Sequence, residues 1–155
     1  MNAAKKASEL KGHARQIYGV AFSPDDRLLA TASSDKTIRI WNLDKAEYTE
    51  LKGHTSDVSR IAFSPDQRQL ASVSQDGSVR IWNITTGQAT EIHAGGKQNP
   101  SYEVAFDSDG ESLAAVGVDG RLRTWRTKDW QLETEYRVCK RPLYTVAFPP
   151  GQPLI

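Results

Sequence analysis

The sequence lacks the features that mark several large classes of protein. A single cysteine, Cys139, excludes an internal disulfide and a zinc cluster built on cysteines. No run of about 18 apolar residues is present that could form a membrane-spanning helix. The N-terminal segment has no apolar stretch of signal-peptide length. We therefore expect an intracellular, cytoplasmic protein without a membrane partner.

An excess of charge of one sign is also missing, since 20 Lys plus Arg residues stand against 19 Asp plus Glu residues. This balance argues against a general binder of polyanions. The segment Arg121–Arg141 is locally basic, with seven basic and three acidic side chains. Solvated strand faces and loops explain such a segment, and contact with an anion or a nucleic acid is the alternative.

Helical periodicity is absent, because no stretch spaces its apolar residues as an amphipathic helix of useful length does. Apolar and polar residues instead alternate over 37–41 and 78–82, which is typical of strands. Pro24 and Pro65 suit tight turns, and turn signals recur about every ten residues. Asp-Gly pairs, which favour hairpins, stand at 76–77, 109–110 and 119–120. These patterns predict meandering antiparallel sheets.

The sequence repeats itself with a period of 41 to 43 residues. Each of the first three units has a small-apolar-Phe core, a turn, an apolar run, a second turn and a run that ends in Trp. The recurring aromatic residues are Phe22, Phe63, Phe106 and Phe148, and Trp41, Trp82 and Trp125. Four strands fit into each period, at 16–22, 27–32, 36–41 and 46–51, then 57–63, 68–73, 78–82 and 88–92, then 101–106, 112–116, 121–125 and 131–137.

Several motifs at fixed offsets resemble those of the WD-repeat family: Gly-His at 12–13 and 53–54, "FSPD" at 22–25 and 63–66, and "IWN" at 40–42 and 81–83. The resemblance implies four-stranded blades arranged radially in a β-propeller. We expect an all-β, partial β-propeller of four-stranded antiparallel blades, with three full blades plus lone strands at each end. The expected incomplete propeller spans 1–155, with blade repeats at about 12–52, 53–94 and 95–137, a partial fourth at 138–155, and lone strands at 5–11 and 143–148.

The resemblance also implies a buried, hydrogen-bonded tetrad of side chains in each of the first two blades. Stacked blades bury polar groups, and each buried donor or acceptor needs a partner. The first tetrad is His13, Asp35, Thr31 and Trp41, and the second is His54, Asp76, Ser72 and Trp82. The third unit has Gly95 and Ala115 at the histidine and hydroxyl positions, so we expect packing alone to hold that blade.

Ser72, His54 and Asp76 are also the residue types of a hydrolytic triad. The same constellation recurs 41 residues earlier, its hydroxyls fall in mid-strand, and no Gly-x-Ser-x-Gly motif is present. We therefore favour the structural role and expect no enzyme activity and no cofactor, with a hydrolase as a remote alternative. The dispersed histidines argue against a metal site, and His93, which is out of register, is interpreted as a loop histidine.

In the family, partners bind on the face that carries the d-to-a loops and b-to-c turns, or at the mouth of the central channel. Three offsets in each unit match that mouth, namely Gln16, Tyr18 and Ser34, then Asp57, Ser59 and Gln75, then Pro100, Tyr102 and Val118, then Pro142 and Tyr144. Tyrosine suits an interaction surface, although strand propensity also explains its presence. Arg39, Arg80 and Arg123 share a strand face with the tryptophans, and we expect them to pack over the indoles.

The resemblance to the family implies a non-catalytic protein-interaction scaffold or sensor module that binds peptides or protein surfaces on the loop face of the propeller. Nucleic acid is not the expected partner. Three and a half units do not close a ring of blades, so we interpret the sequence as part of a longer protein. The open end blades would expose apolar faces, which provides a route to self-association.

Overall fold

The computed structural model describes residues 9–45, 47–94 and 99–149, and these form twelve strands without a helix. Blade 1 contains β1 (Ile17–Phe22), β2 (Leu28–Ser33), β3 (Thr37–Asn42) and β4 (Glu47–Lys52). Blade 2 contains β5 (Val58–Phe63), β6 (Gln69–Ser74), β7 (Ser78–Asn83) and β8 (Ala89–Ala94). Blade 3 contains β9 (Ser101–Phe106), β10 (Ser112–Gly117), β11 (Arg121–Arg126) and β12 (Gln131–Arg137).

Each blade is an antiparallel meander in which every strand pairs with the next one along the chain. The all-β fold class and the four-stranded blades are therefore confirmed. In the described ranges, no helix has the length and apolar character needed to cross a membrane.

Tight turns between the second and third strands of each blade follow from local sequence. Gly77 and Gly120 have φ angles of 84° and 68°, a left-handed conformation that glycine adopts without a steric penalty. Blade 1 has Lys36 at this position, with φ of 73°. The carboxylate of Asp35 supports that turn, because it accepts hydrogen bonds from the backbone N–H and the hydroxyl of Thr37.

The structure does not show the two predicted lone strands among the residues that it describes. Residues 142–149 form no β-ladder, although the backbone N–H of Leu143 donates to the carbonyl of Gly117 at 2.9 Å. A strand requires a continuous row of such bonds to a neighbour, so the predicted strand at 143–148 is wrong. Of the predicted strand at 5–11, residues 5–8 lie outside the described residues, and 9–11 form no ladder.

The apolar core lies between the blades. Blades 1 and 2 share one cluster, which contains Ala30, Ala32, Ile38, Ile40 and Leu51 of the first blade and Val58, Ile61, Phe63, Leu70 and Trp82 of the second. A second cluster joins blades 2 and 3 in the same way and includes Val79, Ile81, Val104, Leu113 and Trp125. The first strands of the three blades pack side by side, β1 against β5 and β5 against β9. The blades are thus stacked as in a partial, open β-propeller with the first strands innermost.

Equivalent positions on the blades differ in exposure. Val20 and Phe22 of β1 are 60% and 58% exposed, whereas Ile61 and Phe63 of β5 are 7% and 8% exposed. Blade 1 covers the residues of β5, and no described residue covers those of β1 to the same degree. Val20 and Phe22 therefore form an apolar strip that is exposed on blade 1.

Candidate functional site

In blade 2, four side chains from different segments form one hydrogen-bonded chain. Trp82 Nε1 donates to Ser72 Oγ at 2.8 Å, and Ser72 Oγ lies 2.7 Å from His54 Nε2. His54 Nδ1 lies 3.1 Å from Asp76 Oδ2. An indole N–H can only donate and an ionised carboxylate can only accept, so Trp82 donates to the serine oxygen and His54 donates from Nδ1 to Asp76.

Blade 1 contains the same chain of side chains. Trp41 Nε1 donates to Thr31 Oγ1 at 2.9 Å, and Thr31 Oγ1 lies 2.7 Å from His13 Nε2. His13 Nδ1 lies 2.8 Å from Asp35 Oδ2. The structure thus brings together all eight residues that the resemblance assigned to the two tetrads.

The carboxylate of Asp76 is the centre of these hydrogen bonds. It accepts from the backbone N–H groups of Thr55 and Ser78 and from the Ser78 hydroxyl, in addition to His54. Burial on its own raises the pKa of Asp76, but the bonds from His54, Ser78 and Thr55 outweigh burial and hold the pKa far below its ordinary value. The ionised form of Asp76 is therefore part of the folded structure.

The triad-like geometry in blade 2 has no access to a substrate. Ser72 is 0% exposed, and its oxygen already accepts the indole N–H of Trp82. A nucleophile must reach a substrate carbonyl beside an oxyanion hole. In this fold the serine hydroxyl is a buried link between Trp82 and His54.

The prediction that packing alone holds blade 3 is wrong. The carboxylate of Asp119 pairs with the guanidinium of Arg123, which also pairs with Glu135 at 2.8 Å. Arg121 binds the second oxygen of Glu135 at 3.1 Å. Arg123 therefore supplies the turn aspartate with a donor, and its fork of N–H groups serves two carboxylates together. The hydroxyls of Thr124 and Thr134 add a further bond at 2.7 Å.

Each of the three blades has an ion pair between an arginine of its third strand and a glutamate of its fourth strand. Arg39 pairs with Glu50 in blade 1 at 3.1 Å, and Arg80 pairs with Glu91 in blade 2. Arg39 also lies over the rings of its own blade, 6.0 Å from the centroid of Trp41 and 4.5 Å from that of Tyr48. In blade 3 the equivalent arginine, Arg123, binds Asp119 of the turn as well as Glu135.

His93 is not a loop residue, which corrects its interpretation from the sequence. It lies on β8 opposite Val79, where blade 1 has Leu51 opposite Ile38. Its ring stands 6.1 Å from the indole of Trp125 in the next blade. Burial, with the nearby charge of Arg123, lowers the pKa of His93, so a neutral imidazole lies in the seam between blades 2 and 3.

The predicted channel mouth lies where the three inner strands begin. Each of these strands has a β-bulge, and the residue omitted from the pairing is Tyr18 in β1, Ser59 in β5 and Tyr102 in β9. A bulge turns the side chain of the extra residue away from the regular alternation. Equivalent bulges therefore present equivalent side chains at the mouth.

Backbone hydrogen bonds join the two other sets of predicted mouth residues. The N–H of the residue before each turn aspartate donates to the carbonyl two residues before the bulge, in the pairs Ser34 to Gln16, Gln75 to Asp57 and Val118 to Pro100, each at 2.9 Å. These bonds close the start of each inner strand onto its neighbouring turn.

A cavity of about 230 Å³ opens at this mouth. Its lining residues are Tyr18, Ser59, Arg60, Gln75, Tyr102 and Tyr144. The rings of Tyr102 and Tyr144 stack with centroids 5.3 Å apart and an interplanar angle of 16°. The predicted mouth residues outside the cavity wall are Gln16, Ser34, Asp57, Pro100, Val118 and Pro142.

Arg60 is the lining residue that sequence reasoning missed. It lies three residues before Phe63, at the position that Gly19 has in β1 and Glu103 has in β9. The signal for this residue in the sequence is that the three equivalent inner-strand positions carry a glycine, an arginine and a glutamate. A Cβ on Gly19 would lie 3.2 Å from the Cα of Arg60, so the first two inner strands approach closely here.

The basic segment Arg121–Arg141 is partly neutralised within blade 3. Arg121 and Arg123 pair with acidic residues of the same blade, and Arg126 pairs with Asp129 at 2.7 Å. These pairs agree with solvated strand faces. Binding of an anion or a nucleic acid by this segment stays a prediction.

Known proteins share both sequence and fold with this chain. The family described as WD domain, G-beta repeat matches residues 4–42 and 45–83. Apoptotic protease-activating factor 1 of Danio rerio is 46% identical over 41 residues, and that of Mus musculus is 45% identical over 40 residues. Each match covers 26% of this chain and 3% of the relative.

Among solved structures, U3-55K aligns with a TM-score of 0.80 and 21% sequence identity. The alignment covers 86% of this chain and 42% of the U3-55K chain. The chain therefore spans less than half the length of that structure and a small part of the curated relatives. The likeness to U3-55K is one of fold.

Proposed function

Because this chain belongs to the WD40 family, we propose that it binds a protein partner through the cavity at its channel mouth. WD40 domains generally mediate protein–protein interactions and are generally non-catalytic. The chain is accordingly a protein-interaction scaffold at the level of its family. The proposal adds the binding face and the kind of partner, an exposed peptide or loop of another protein.

One observation carries this proposal. Five of the six residues that line the cavity are predicted mouth residues, and three of these are tyrosines. Tyrosine gives a large contact area with a polar hydroxyl, and it loses little conformational entropy on binding. A volume of about 230 Å³ suits one or two side chains of a peptide rather than a folded domain.

Peptide display tests the proposal directly. A library of random linear peptides would be selected against the folded protein, and retained peptides would be synthesised and measured by calorimetry. We expect Tyr102→Ala to weaken binding by at least tenfold, because it removes a ring from the cavity wall. Tyr136→Ala is the matched control, since Tyr136 is 55% exposed on β12 and does not line the cavity. Retained peptides that bind both variants equally would refute the mouth as the binding face.

Self-association is a second property that a specific observation favours. Blade 1 exposes Val20 and Phe22, whereas blade 2 buries the equivalent Ile61 and Phe63 against a neighbouring blade. We propose that a blade of a second copy covers this strip. Sedimentation should then show a concentration-dependent dimer or larger species that Phe22→Glu abolishes. A wild-type protein that stays monomeric at all concentrations would contradict the proposal.

A further inference from the structure

Arg60 connects all three inner strands at the channel mouth. Its Nη1 donates to the carbonyl of Tyr18 in β1 and to that of Ser59 in its own strand at 2.9 Å. Its Nε lies 3.6 Å from Glu103 Oε2 in β9. The side chain is nevertheless 46% exposed, so part of the guanidinium remains open to the solvent.

The donors of Arg60 are only partly used. Among the described residues, Nη2 of Arg60 makes no hydrogen bond. The separation from Glu103 is beyond ordinary hydrogen-bond length, so this contact is an ion pair rather than a bidentate bond. A guanidinium has five N–H donors and binds a carboxylate best through two of them together. Arg60 therefore retains capacity for an acceptor from outside.

The wall of the cavity is rich in donors and carries one formal charge. Arg60 is its charged lining residue, and no carboxylate of the described residues lines it. The hydroxyls of Ser59 and the three tyrosines, with the amide of Gln75, can each donate a hydrogen bond. The side chain of Glu103 is 22% exposed and is not among the residues that line the cavity.

We propose that the cavity takes an acidic side chain, Asp or Glu, of the partner peptide, with its carboxylate on Arg60 and the tyrosine rings beside it. This inference rests on the proposed function, because it names what that same mouth recognises. Charge complementarity favours an acidic residue over a basic one, since a cation would meet the guanidinium. The apolar faces of the tyrosines then contact the methylene groups of the side chain.

Replacement of Glu103 should strengthen the binding of acidic peptides, whereas replacement of Arg60 should weaken it. Glu103 is the internal counter-charge of Arg60, and burial raises its pKa because a partly buried carboxylate is less well solvated. Glu103→Gln removes this competitor and leaves the positive charge of Arg60 without its internal counter-charge. We expect acidic peptides to bind roughly threefold more tightly to this variant. A purely structural role for Arg60 predicts no such gain.

The test uses the peptides that the wild-type protein retains from a random library. We expect these peptides to be enriched in Asp and Glu at one position, and replacement of that residue by Asn or Gln in the peptide should weaken binding by roughly tenfold. Arg60→Gln should weaken binding of the acidic peptide by a similar factor and should leave the Asn or Gln peptide almost unchanged. Arg27→Gln is the matched control, because Arg27 has the same charge and lies in the turn between β1 and β2, away from the cavity.

The possible outcomes separate the failure of this inference from the failure of the proposed function. Peptides that lose binding to Tyr102→Ala but show no preference for acidic residues would overturn this inference and leave the proposed function intact. Failure to retain any peptide that depends on Tyr102 would overturn both. The peptide substitution and Glu103→Gln keep the inference testable even when Arg60→Gln does not fold.

Discussion

Blades 2 and 3 have the same strand order and the same tight turn, but they hold the turn aspartate by different means. In blade 2, His54 and Ser72 link Asp76 to an indole through buried hydrogen bonds. In blade 3, Arg123 binds Asp119 directly. The blade therefore needs a satisfied carboxylate at its turn, and a histidine is one of two ways to provide it.

The two arrangements differ in their exposure to water. The side chain of Asp76 is 6% exposed and that of His54 is 1% exposed, whereas Asp119 is 17% and Glu135 is 35% exposed. Buried hydrogen bonds are shielded from salt, and partly exposed ion pairs are not. We therefore expect the two blades to respond differently to mutation and to solvent.

The largest difference should follow from removal of the turn aspartate. Asp76→Ala leaves His54, Ser78 and the N–H of Thr55 without their acceptor, so we expect a loss of about 3 kcal/mol in the free energy of unfolding. Asp119→Ala should lose about 1 kcal/mol, because its main partner Arg123 keeps Glu135. Urea denaturation of both variants measures the difference, and equal losses would contradict the comparison.

The same aspartate makes a prediction about pH. The pKa of Asp76 is lowered in the folded state, so its stabilisation is present above the ordinary value of 3.8 and is lost as the pH falls toward the folded pKa. The wild-type protein should therefore lose more stability than Asp76→Ala on acidification below about pH 4. Parallel slopes for the two proteins would show that the carboxylate is not held as the structure indicates.

The strand hydroxyl should give the next largest effect. Ser72→Ala removes the link between the Trp82 indole and His54, and we expect a loss of about 2 kcal/mol. The reciprocal change, Ala115→Ser, should shift the free energy of unfolding by less than about 1 kcal/mol, because blade 3 does not depend on such a link. Thermal and urea unfolding of the two variants side by side provide the measurement. A larger loss for Ala115→Ser than for Ser72→Ala would overturn this ranking.

Arginine replacement tests the ion network of blade 3. Arg123→Met should lower the free energy of unfolding by about 1.5 kcal/mol, since Arg123 is 11% exposed and binds two carboxylates. Arg80→Met in blade 2 should lower it by about 0.5 kcal/mol, because Glu91 is the one carboxylate that Arg80 binds among the described residues, and its bond to the Ser78 hydroxyl is long at 3.4 Å. In 1 M salt the difference should shrink, as the screening length falls to about 3 Å. A difference that is unaffected by salt would exclude an electrostatic origin.

The smallest effect concerns the seam between the two blades. Because the pKa of His93 is lowered from its ordinary 6.5, the folded protein favours the neutral ring, and stability falls as the pH drops below 6.5 toward the folded pKa. Arg123, Asp119 and Glu135 of blade 3 and Glu91 of its own strand act on this ring. His93→Leu, which copies Leu51 of blade 1, should remove that part of the pH dependence. Stability curves from pH 8 to pH 5 that coincide in shape would contradict this assignment.

The tetrads could be predicted from the sequence because the repeat keeps every separation constant. The histidine lies 22 residues from the aspartate and 18 from the hydroxyl residue in both blades. The network of blade 3 could not be predicted in this way. An arginine stands at the equivalent position in all three blades, but among the described residues only that of blade 3, Arg123, pairs with the turn aspartate.

The resemblance to the WD-repeat family implies how the blades stack, and the sequence alone specifies the strands and the turns. Those features depend on short-range alternation of apolar residues and on Pro, Gly and Asp at turn positions, which recur with a fixed period. Only the folded structure shows that Arg60 lines the channel mouth and that the ring of His93 lies near the indole of Trp125. Both arrangements bring together residues of neighbouring blades, and no local pattern specifies which residues meet once the blades are stacked.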